Sequence, residues 1–314
     1  MKKKILKLFR SLSKIMLPIL FKILIYLKLN RRFINFLNEK SYKSNDVYNF
    51  NEIIKNLIRN KKIIALDVGA QGGFNSDNFF PNKYNHFFNN ILVEPIKAEA
   101  DKLKEEKFVI NKGLWSKKEN KKLYILENRL GSTSMYIPDE EAFDLHDINS
   151  NDFENYKVTR TIEIECDTLS SQLSGLNIEL LDYLKIDTQG AELEILKGIG
   201  SYRPLLIKIE VHFFSMYKNV PSWHELINCL YNLGYVLIDM KGIGRHNTRI
   251  PAETDMIFIP NFNNETGKEL IKNNNEKFIS LMLIFGQLKI LQIILKRLQI
   301  DNNEIERLED HYFN

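Results

Sequence analysis

Short apolar runs rich in β-branched residues alternate with segments of helical periodicity between residues 60 and 261. Several runs are continuously apolar, which is typical of strands that are covered on both faces of a sheet. Because strands that alternate with helices pair in parallel, the pattern predicts a doubly wound α/β sheet. The predicted strands are Ile63–Val68, Ile91–Glu94, Phe108–Asn111, Leu123–Leu126, Ile162–Cys166, Leu181–Ile186, Leu205–Val211, Tyr235–Met240 and Met256–Ile259. The predicted helices among them are Lys97–Lys107, Ala191–Gly198 and Ser222–Leu233.

The last two predicted strands are joined by Lys241–Asp255, a connection without helical periodicity. Parallel neighbours need a long crossover, whereas antiparallel neighbours can be joined by a loop. We therefore expect the mostly parallel sheet to end in an antiparallel hairpin.

Periodicity and composition divide the chain into three segments. Residues 1–55 predict a basic helical N-terminal arm, residues 56–262 the α/β domain, and residues 263–314 a helical C-terminal extension. Apolar residues make up 44% of the sequence, which is enough for a large core and excludes extended disorder.

The positive charge of the chain is concentrated in the arm. Residues 1–32 hold ten Lys or Arg and no acidic residue, so the rest of the chain carries a net charge of −6 although the total is +4. An acidic body argues against a nucleic-acid partner. Apolar residues among cations are typical of helices that lie on anionic membranes, although packing of the arm on the α/β domain is an equal alternative. Since no apolar run reaches the ~18 residues of a membrane span, we expect a cytoplasmic protein with peripheral contact to the inner membrane surface.

The cysteines and histidines show no metal or disulfide pattern. Cys166 and Cys229 form no CxxC pair, and the six histidines form no HxxxH pair. We therefore predict no structural metal and no disulfide framework, and we expect a reducing compartment.

Two motifs at the ends of the first two strands favour a nucleoside site. In ALDVGAQGGFNS, Asp67 ends a strand, and Gly69 and Gly72 follow where a backbone can approach a ligand closely. The spacing differs from the dinucleotide fingerprint GxGxxG. In ILVEP, Glu94 ends the next strand, where a carboxylate can accept both hydroxyls of a ribose. Each motif alone also fits a structural role, but together they favour ligand binding.

Acidic residues also end two central strands. Asp187 in YLKIDTQGAELEILKG precedes a helix, and Glu210 and His212 in LLIKIEVHFF are two apart and point the same way. Because doubly wound sheets bind ligands at the carboxyl ends of their strands, we expect these side chains to converge on one pocket. The alternatives are that Asp187 caps the helix and that His212 only hydrogen-bonds the end of the sheet.

These motifs resemble the FkbM family of S-adenosylmethionine-dependent methyltransferases, in family order across about residues 60–240. The matching pieces are LDVGAQGG, VEP, NKGLWS, GSTSM, CDTLSSQL, LLDYLKIDTQGAELEILKG and LIKIEVH. Two positions depart from the family pattern: Gln71, where Asn is commoner, and Gln189, where Glu is commoner. The second departure removes a charge, so we do not assign catalysis to position 189.

The resemblance implies a Rossmann-like methyltransferase fold, to which the terminal antiparallel hairpin belongs, and S-adenosylmethionine as cofactor. It also implies O-methylation of a small-molecule or glycan acceptor. The cofactor-binding residues predicted on this basis are Asp67, Gly69, Ala70, Gly72, Glu94 and Pro95.

An alcohol is a weak nucleophile near neutral pH, so a base is expected to take its proton. The candidates are Asp187, Glu210 and His212, with His212 preferred because an unperturbed imidazole titrates near ~6.5. A divalent cation held by carboxylates is an alternative route to activation. Two other functions stay open: a membrane-surface binding protein on an inactive methyltransferase scaffold, and a nicotinamide-dependent oxidoreductase.

Overall fold

The computed structural model describes residues 50–301 apart from 60, 104, 147, 149 and 242–251, together with the single residues Ile19, Ile23 and Tyr26. Most of the predicted basic arm lies outside the described residues, and its membrane contact stays a prediction. Within these ranges, no helix combines the length and the apolar character that a bilayer crossing requires.

The described strands form two sheets. Their bounds are β1 Ile63–Val68, β2 Phe88–Val93, β3 Phe108–Ile110, β4 Gly113–Leu114, β5 Glu119–Ile125, β6 Arg160–Asp167, β7 Tyr183–Ile186, β8 Leu206–His212, β9 Tyr235–Lys241 and β10 Glu253–Pro260. The large sheet has the order β3-β2-β1-β7-β8-β10-β9, and the small sheet has the order β4-β6-β5. In the large sheet β10 is antiparallel to both its neighbours and the other pairs are parallel. The mostly parallel α/β sheet and its terminal hairpin are therefore confirmed.

The small sheet corrects one prediction, because β5 and β6 do not join the parallel sheet. They pair antiparallel with each other, and β4 adds a two-residue parallel edge. In β6 the side chains of Ile164 and Cys166 are buried while Glu163 and Glu165 are exposed. This alternation is typical of antiparallel sheets with one solvated face, and the sequence TIEIEC already carries it.

Two of the three predicted helices, Ala191–Gly198 and Ser222–Leu233, are confirmed, whereas the helix Leu169–Gly175 was not predicted. The bounds of the described α-helices are α1 Asn51–Ile58, α2 Lys97–Ala100, α3 Leu169–Gly175, α4 Glu192–Lys197, α5 Trp223–Asn232, α6 Glu265–Asn273, α7 Asn275–Ile284 and α8 Leu288–Leu298. Short 3₁₀ helices occupy Asn82–Phe87, Asp101–Leu103, Glu127–Ser132, Glu140–Ala142, Asp144–His146 and Ser150–Tyr156. Helix α2 is shorter than the predicted Lys97–Lys107, because it ends at Ala100 and the chain continues as the 3₁₀ helix Asp101–Leu103.

The two faces of the large sheet are covered by different helices. One apolar cluster joins Leu184 and Ile207 to α3, α4 and α5. The other joins Tyr183 and Leu206 to α1, α7 and α8. Helix α7 is buried at every residue from Phe278 to Ile284, as expected of a helix in the middle of a core.

The second cluster includes residues from all three segments that the sequence analysis distinguished. Phe50 from the predicted arm, Tyr183 from the α/β domain and Phe278 from the predicted extension belong to it together. The described parts of the segments therefore share one core, and the segment boundaries stay a prediction.

Candidate active site

A row of eight charged residues lies at one end of one face of the large sheet. They are Asp67, Lys185, Asp187, Lys208, Glu210, His212, Asp255 and Glu253. Residues two apart on a strand project to the same side. Tyr183 and Leu206 pack with the C-terminal helices at the start of β7 and β8. Lys185 and Lys208, two positions further on, therefore begin the charged row on the same face. The row lies at the carboxyl ends of β1, β7 and β8, where the sequence analysis placed the site.

The loop after β1 is held against two neighbouring strand ends. The backbone N–H groups of Gly69 and Ala70 both donate to the carbonyl oxygen of Val93, each at 3.2 Å. Gly69 has a φ of +82°, and a Cβ at this position would lie 1.9 Å from the carbonyl oxygen of Asp187. Only glycine fits this contact, so the loop stays close to the ends of both β2 and β7.

Asp67 is buried and paired within the protein. Lys185 Nζ donates to Asp67 Oδ1 at 3.0 Å and lies 3.8 Å from Asp187 Oδ2. Burial lowers the pKa of Lys185, but the carboxylates of Asp67 and Asp187 outweigh this effect and hold the pKa above its ordinary value. The charged lysine therefore ties the strand before the glycine loop to the strand that ends at Asp187.

Glu94 follows β2 and is largely buried. The N–H of Ile96 donates to Glu94 Oε1 at 2.8 Å, and Asn111 Nδ2 donates to the backbone carbonyls of Glu94 and Pro95 at 2.9 and 3.1 Å. Burial raises the pKa of Glu94 to about 7, against the opposing effect of the Ile96 N–H. A carboxyl group in this position can change its charge in the physiological range.

A cavity of about 200 Å³ opens at these strand ends. The predicted site residues that line it are Gly69, Glu94, Pro95 and Asp187. Its wall does not include Asp67, Ala70 or Gly72, so these three shape the loop and its support. Glu210 and His212, which were expected to share one pocket with Asp187, do not line it either. The wall also includes residues 112–114 and, further along the chain, Gly131, Thr133 and Met135. These two stretches belong to the family motifs NKGLWS and GSTSM, to which the sequence analysis assigned no role.

Gln189 joins the two central carboxyl groups. Its Nε2 donates to Asp187 Oδ1 at 3.3 Å and to Glu210 Oε2 at 2.5 Å. Its Oε1 lies 2.9 Å from the hydroxyl of Tyr217. Burial raises the pKa of Asp187, but nearby lysines outweigh it and hold that pKa below its ordinary value. The residue at position 189 thus positions both acids, a role that the sequence analysis missed.

Asp187 does not cap the helix that follows it. Helix α4 begins at Glu192, and its N-cap residue Ala191 offers no side-chain hydrogen bond. Glu192 itself holds the intervening turn, since its Oε1 accepts from the N–H groups of Thr188 and Gly190 at 2.9 and 3.1 Å. The carboxylate of Asp187 is therefore directed to the cavity and the acid cluster rather than to the helix.

His212 lies between two glutamates. Its Nε2 is 3.2 Å from Glu210 Oε2 and 3.9 Å from Glu253 Oε2, and its ring stacks on Tyr217 at 6.1 Å between centroids. Burial lowers the pKa of His212, but Glu210 and further carboxylates raise it to about 9. Burial and the charge of Asp187 raise the pKa of Glu210 to about 8. A protonated imidazole cannot accept a proton, so this charge state favours Asp187 over His212 as the base; the catalytic roles stay predictions.

The sequence analysis also missed a second buried lysine. Lys208 Nζ lies 2.6 Å from Asp77 Oδ2 and 3.1 Å from Asp255 Oδ1. A signal was available, because LKID and IKIE each place a lysine inside an apolar strand, two residues before an acid.

The family model described as Methyltransferase FkbM domain matches residues 67–237, which is more than half of the chain. The chain belongs to the FkbM methyltransferase family. This membership confirms the resemblance found in the motifs, and the match spans the glycine loop, Glu94, Asp187, Glu210 and His212. No curated protein matches the chain.

Proposed function

We propose that this FkbM methyltransferase transfers a methyl group from S-adenosylmethionine to a hydroxyl of a sugar or glycan-like acceptor. The observation that carries the proposal is one cavity whose wall includes both Glu94 and Asp187. The first residue ends the strand beside the glycine loop, and the second ends a central strand. A carboxylate that can bind the cofactor and a carboxylate that can accept a proton therefore face the same cavity.

The residues around the cavity fit the cofactor. Glu94 Oε1 accepts one hydrogen bond from Ile96, so the carboxyl group keeps lone pairs for the hydroxyls of a ribose. Gly69 lets the backbone run along the cavity without a side chain. When bound, S-adenosylmethionine supplies an electrophilic methyl group on a sulfonium, and its transfer leaves a neutral thioether.

The surroundings of Asp187 favour a neutral acceptor with several hydroxyl groups. Asp187, Thr188 and Gln189 line the cavity and offer hydrogen-bond donors and acceptors. Glu210 lies directly behind them, bonded to Gln189. A sugar hydroxyl can donate a hydrogen bond to the carboxylate of Asp187, whereas an ionised carboxylate or a fully ionised phosphate has no proton to donate.

Asp187 is the residue best placed to take the acceptor proton. Its side chain is 26% exposed and lines the cavity, whereas that of His212 is 7% exposed and faces Glu210 and Glu253. The hydroxyl oxygen forms its new bond to the methyl carbon while its proton passes to the Asp187 carboxylate. Gln189 and Glu210 hold that carboxylate in place, and such positioning can lower a barrier by several kcal/mol.

The other functions weighed from the sequence are less well supported. A nicotinamide-dependent oxidoreductase is not favoured by the family match or by the antiparallel β10. An inactive membrane-binding scaffold is not favoured because Glu94 and Asp187 still line a cavity together.

Calorimetry with S-adenosylmethionine, its demethylated product and NAD tests the cofactor. We expect the first two to bind and NAD not to bind. Glu94→Ala should lose about 1.5–3 kcal/mol of binding free energy, the value of hydrogen bonds to a charged group. The matched control is Glu105→Ala, an exposed glutamate outside the cavity wall. Equal affinity of both variants would remove Glu94 from the site.

Transfer of an isotope-labelled methyl group to a panel of acceptors tests the substrate class. The panel contains glycans, amines and carboxylic acids, and we expect label in the glycans as methyl ethers. Asp187→Asn should lower kcat by ~10²–10⁴-fold while cofactor affinity is kept. Label found only in amines or carboxylates would overturn the O-methylation of sugars.

A further inference from the structure

We propose that Glu210, His212 and Glu253 form a binding site for a divalent transition-metal cation, with Mn²⁺ as the representative ion. The three residues come from two neighbouring antiparallel strands, at the carboxyl end of β8 and the amino end of β10. No family motif contains Glu253, which lies beyond the matched residues 67–237. The site therefore arises from the packing of β10 against β8.

Strand register brings the three side chains together. Glu210 and His212 are two apart on β8 and project to the same face, and Glu253 lies directly opposite His212 on antiparallel β10. One oxygen or nitrogen of each residue lies within 4.8 Å of those of the others. His212 Nε2 is 3.2 Å from Glu210 Oε2 and 3.9 Å from Glu253 Oε2. Ligands bound at roughly 2.0–2.3 Å from one ion are about 3 Å apart when they meet at right angles, so only small movements are needed.

The histidine has no other polar function among the described residues. Its side chain is 7% exposed, its Nδ1 is buried without a hydrogen-bond partner, and its Nε2 faces the two glutamates. Tyr217 stacks on one side of the ring, and the ring of His146 meets it edge-on at 6.0 Å. The imidazole is thus fixed by packing, with the nitrogen that could bind a cation directed to carboxylate oxygens.

The glutamate on the same strand is oriented from behind. Gln189 Nε2 donates to Glu210 Oε2, and His212 Nε2 contacts the same oxygen, so a cation would take the place of the proton between the histidine and this carboxylate. Hydrogen bonds of this kind orient the ligands of metal sites and tune their affinity. Gln189 therefore links the proposed cation site to Asp187, which it also contacts.

The donor set indicates the class of cation. Mg²⁺ and Ca²⁺ prefer oxygen ligands, whereas an imidazole with two carboxylates suits Mn²⁺, Fe²⁺ or Zn²⁺. A bound cation would fix Glu210 and, through Gln189, would hold Asp187 in place at the cavity wall. This catalytic consequence rests on the proposed O-methylation, but the binding of the cation does not.

The test is a titration of the chelator-treated full-length protein with Mn²⁺. Binding is measured as the decrease in the electron paramagnetic resonance signal of free Mn²⁺. We expect one ion per chain and weaker competition by Mg²⁺. Glu253→Gln and His212→Gln should each weaken Mn²⁺ binding at least tenfold. Exposed Glu163 and His224 provide the matched controls Glu163→Gln and His224→Gln, which should bind as the wild type does.

Thermal melts show whether each variant is folded, and Glu253→Gln is the safer variant because this side chain is 28% exposed. Absence of binding at 1 mM Mn²⁺, or unchanged binding in both site variants, would overturn the site. Calorimetry of the same samples with S-adenosylmethionine separates the two proposals. Cofactor binding without Mn²⁺ binding overturns only the cation site, whereas Mn²⁺ binding without cofactor affinity supports the site and overturns the proposed function.

Discussion

Glu94 and Glu210 are both buried carboxyl groups at the ends of strands, but their surroundings differ. Glu94 accepts a hydrogen bond from the backbone of Ile96, and burial alone accounts for most of its raised pKa. Glu210 is in contact with Gln189 and His212, and the charge of Asp187 adds to the effect of burial. We therefore expect the charge of Glu94 to depend mainly on a bound ligand, and the charge of Glu210 to depend on each of the side chains that it contacts.

The same contrast extends to the two halves of the site. On the β1–β2 side, backbone groups hold the glycine loop, as the contacts of Gly69 and Ala70 with Val93 show. On the β8–β10 side, side chains hold one another through ion pairs. We therefore expect the β8–β10 side to depend on individual charges and the β1–β2 side on backbone conformation.

The largest effect is expected from removal of a buried charge on the β8–β10 side. Lys208→Met leaves Asp77 and Asp255 without the lysine that lies 2.6 and 3.1 Å from them. Breaking a buried ion pair from one side costs about 3–5 kcal/mol of unfolding free energy. Urea unfolding measures the loss, and exposed Lys122 provides the control Lys122→Met, for which we expect a change within about 0.5 kcal/mol. A loss below about 1 kcal/mol for Lys208→Met would show that the two acids tolerate their mutual repulsion.

A smaller effect is expected from a single methyl group on the backbone-held side. Gly69→Ala places a Cβ against the carbonyl oxygen of Asp187 at a φ of +82°. Strain of this kind costs about 1–3 kcal/mol. Gly175→Ala is the control, because nothing lies within 4 Å of a Cβ there and its φ is not in the left-handed region. Equal urea midpoints for the two variants would contradict the close approach of the loop to β7.

The sequence predicted the ends of the strands better than the partners of the charges. Four acids interrupt or follow apolar runs, and each lies within two residues of the end of its strand: Asp67, Glu94, Asp187 and Glu210. The large sheet was predictable as well, since its central strands are mostly apolar and buried on both faces.

The ion pairs could not be predicted because they join residues that are far apart in the chain. Lys208 and Asp77 are 131 positions apart, and Lys185 and Asp67 are 118 apart. Glu253 meets His212 only through the antiparallel register of β10 on β8. No local pattern encodes such a register, although a lysine inside an apolar strand does indicate a buried partner.

The smallest effect concerns the pH dependence of cofactor binding, which distinguishes the role of Glu94 from that of Glu210. The pKa of Glu94 is raised to about 7 in the folded protein without ligand, so its stabilising contribution is present below the ordinary value and is lost as the pH rises through 7. Ribose hydroxyls donate to the ionised form, so cofactor binding must follow the opposite trend. The ionised fraction rises from about one tenth at pH 6 to about nine tenths at pH 8, and the affinity should rise about tenfold with it. Calorimetry at pH 6, 7 and 8 measures the slope, and Glu94→Gln, which keeps the shape without the titration, should abolish it. A slope that persists in Glu94→Gln would assign the pH dependence to Glu210 and the side chains that it contacts.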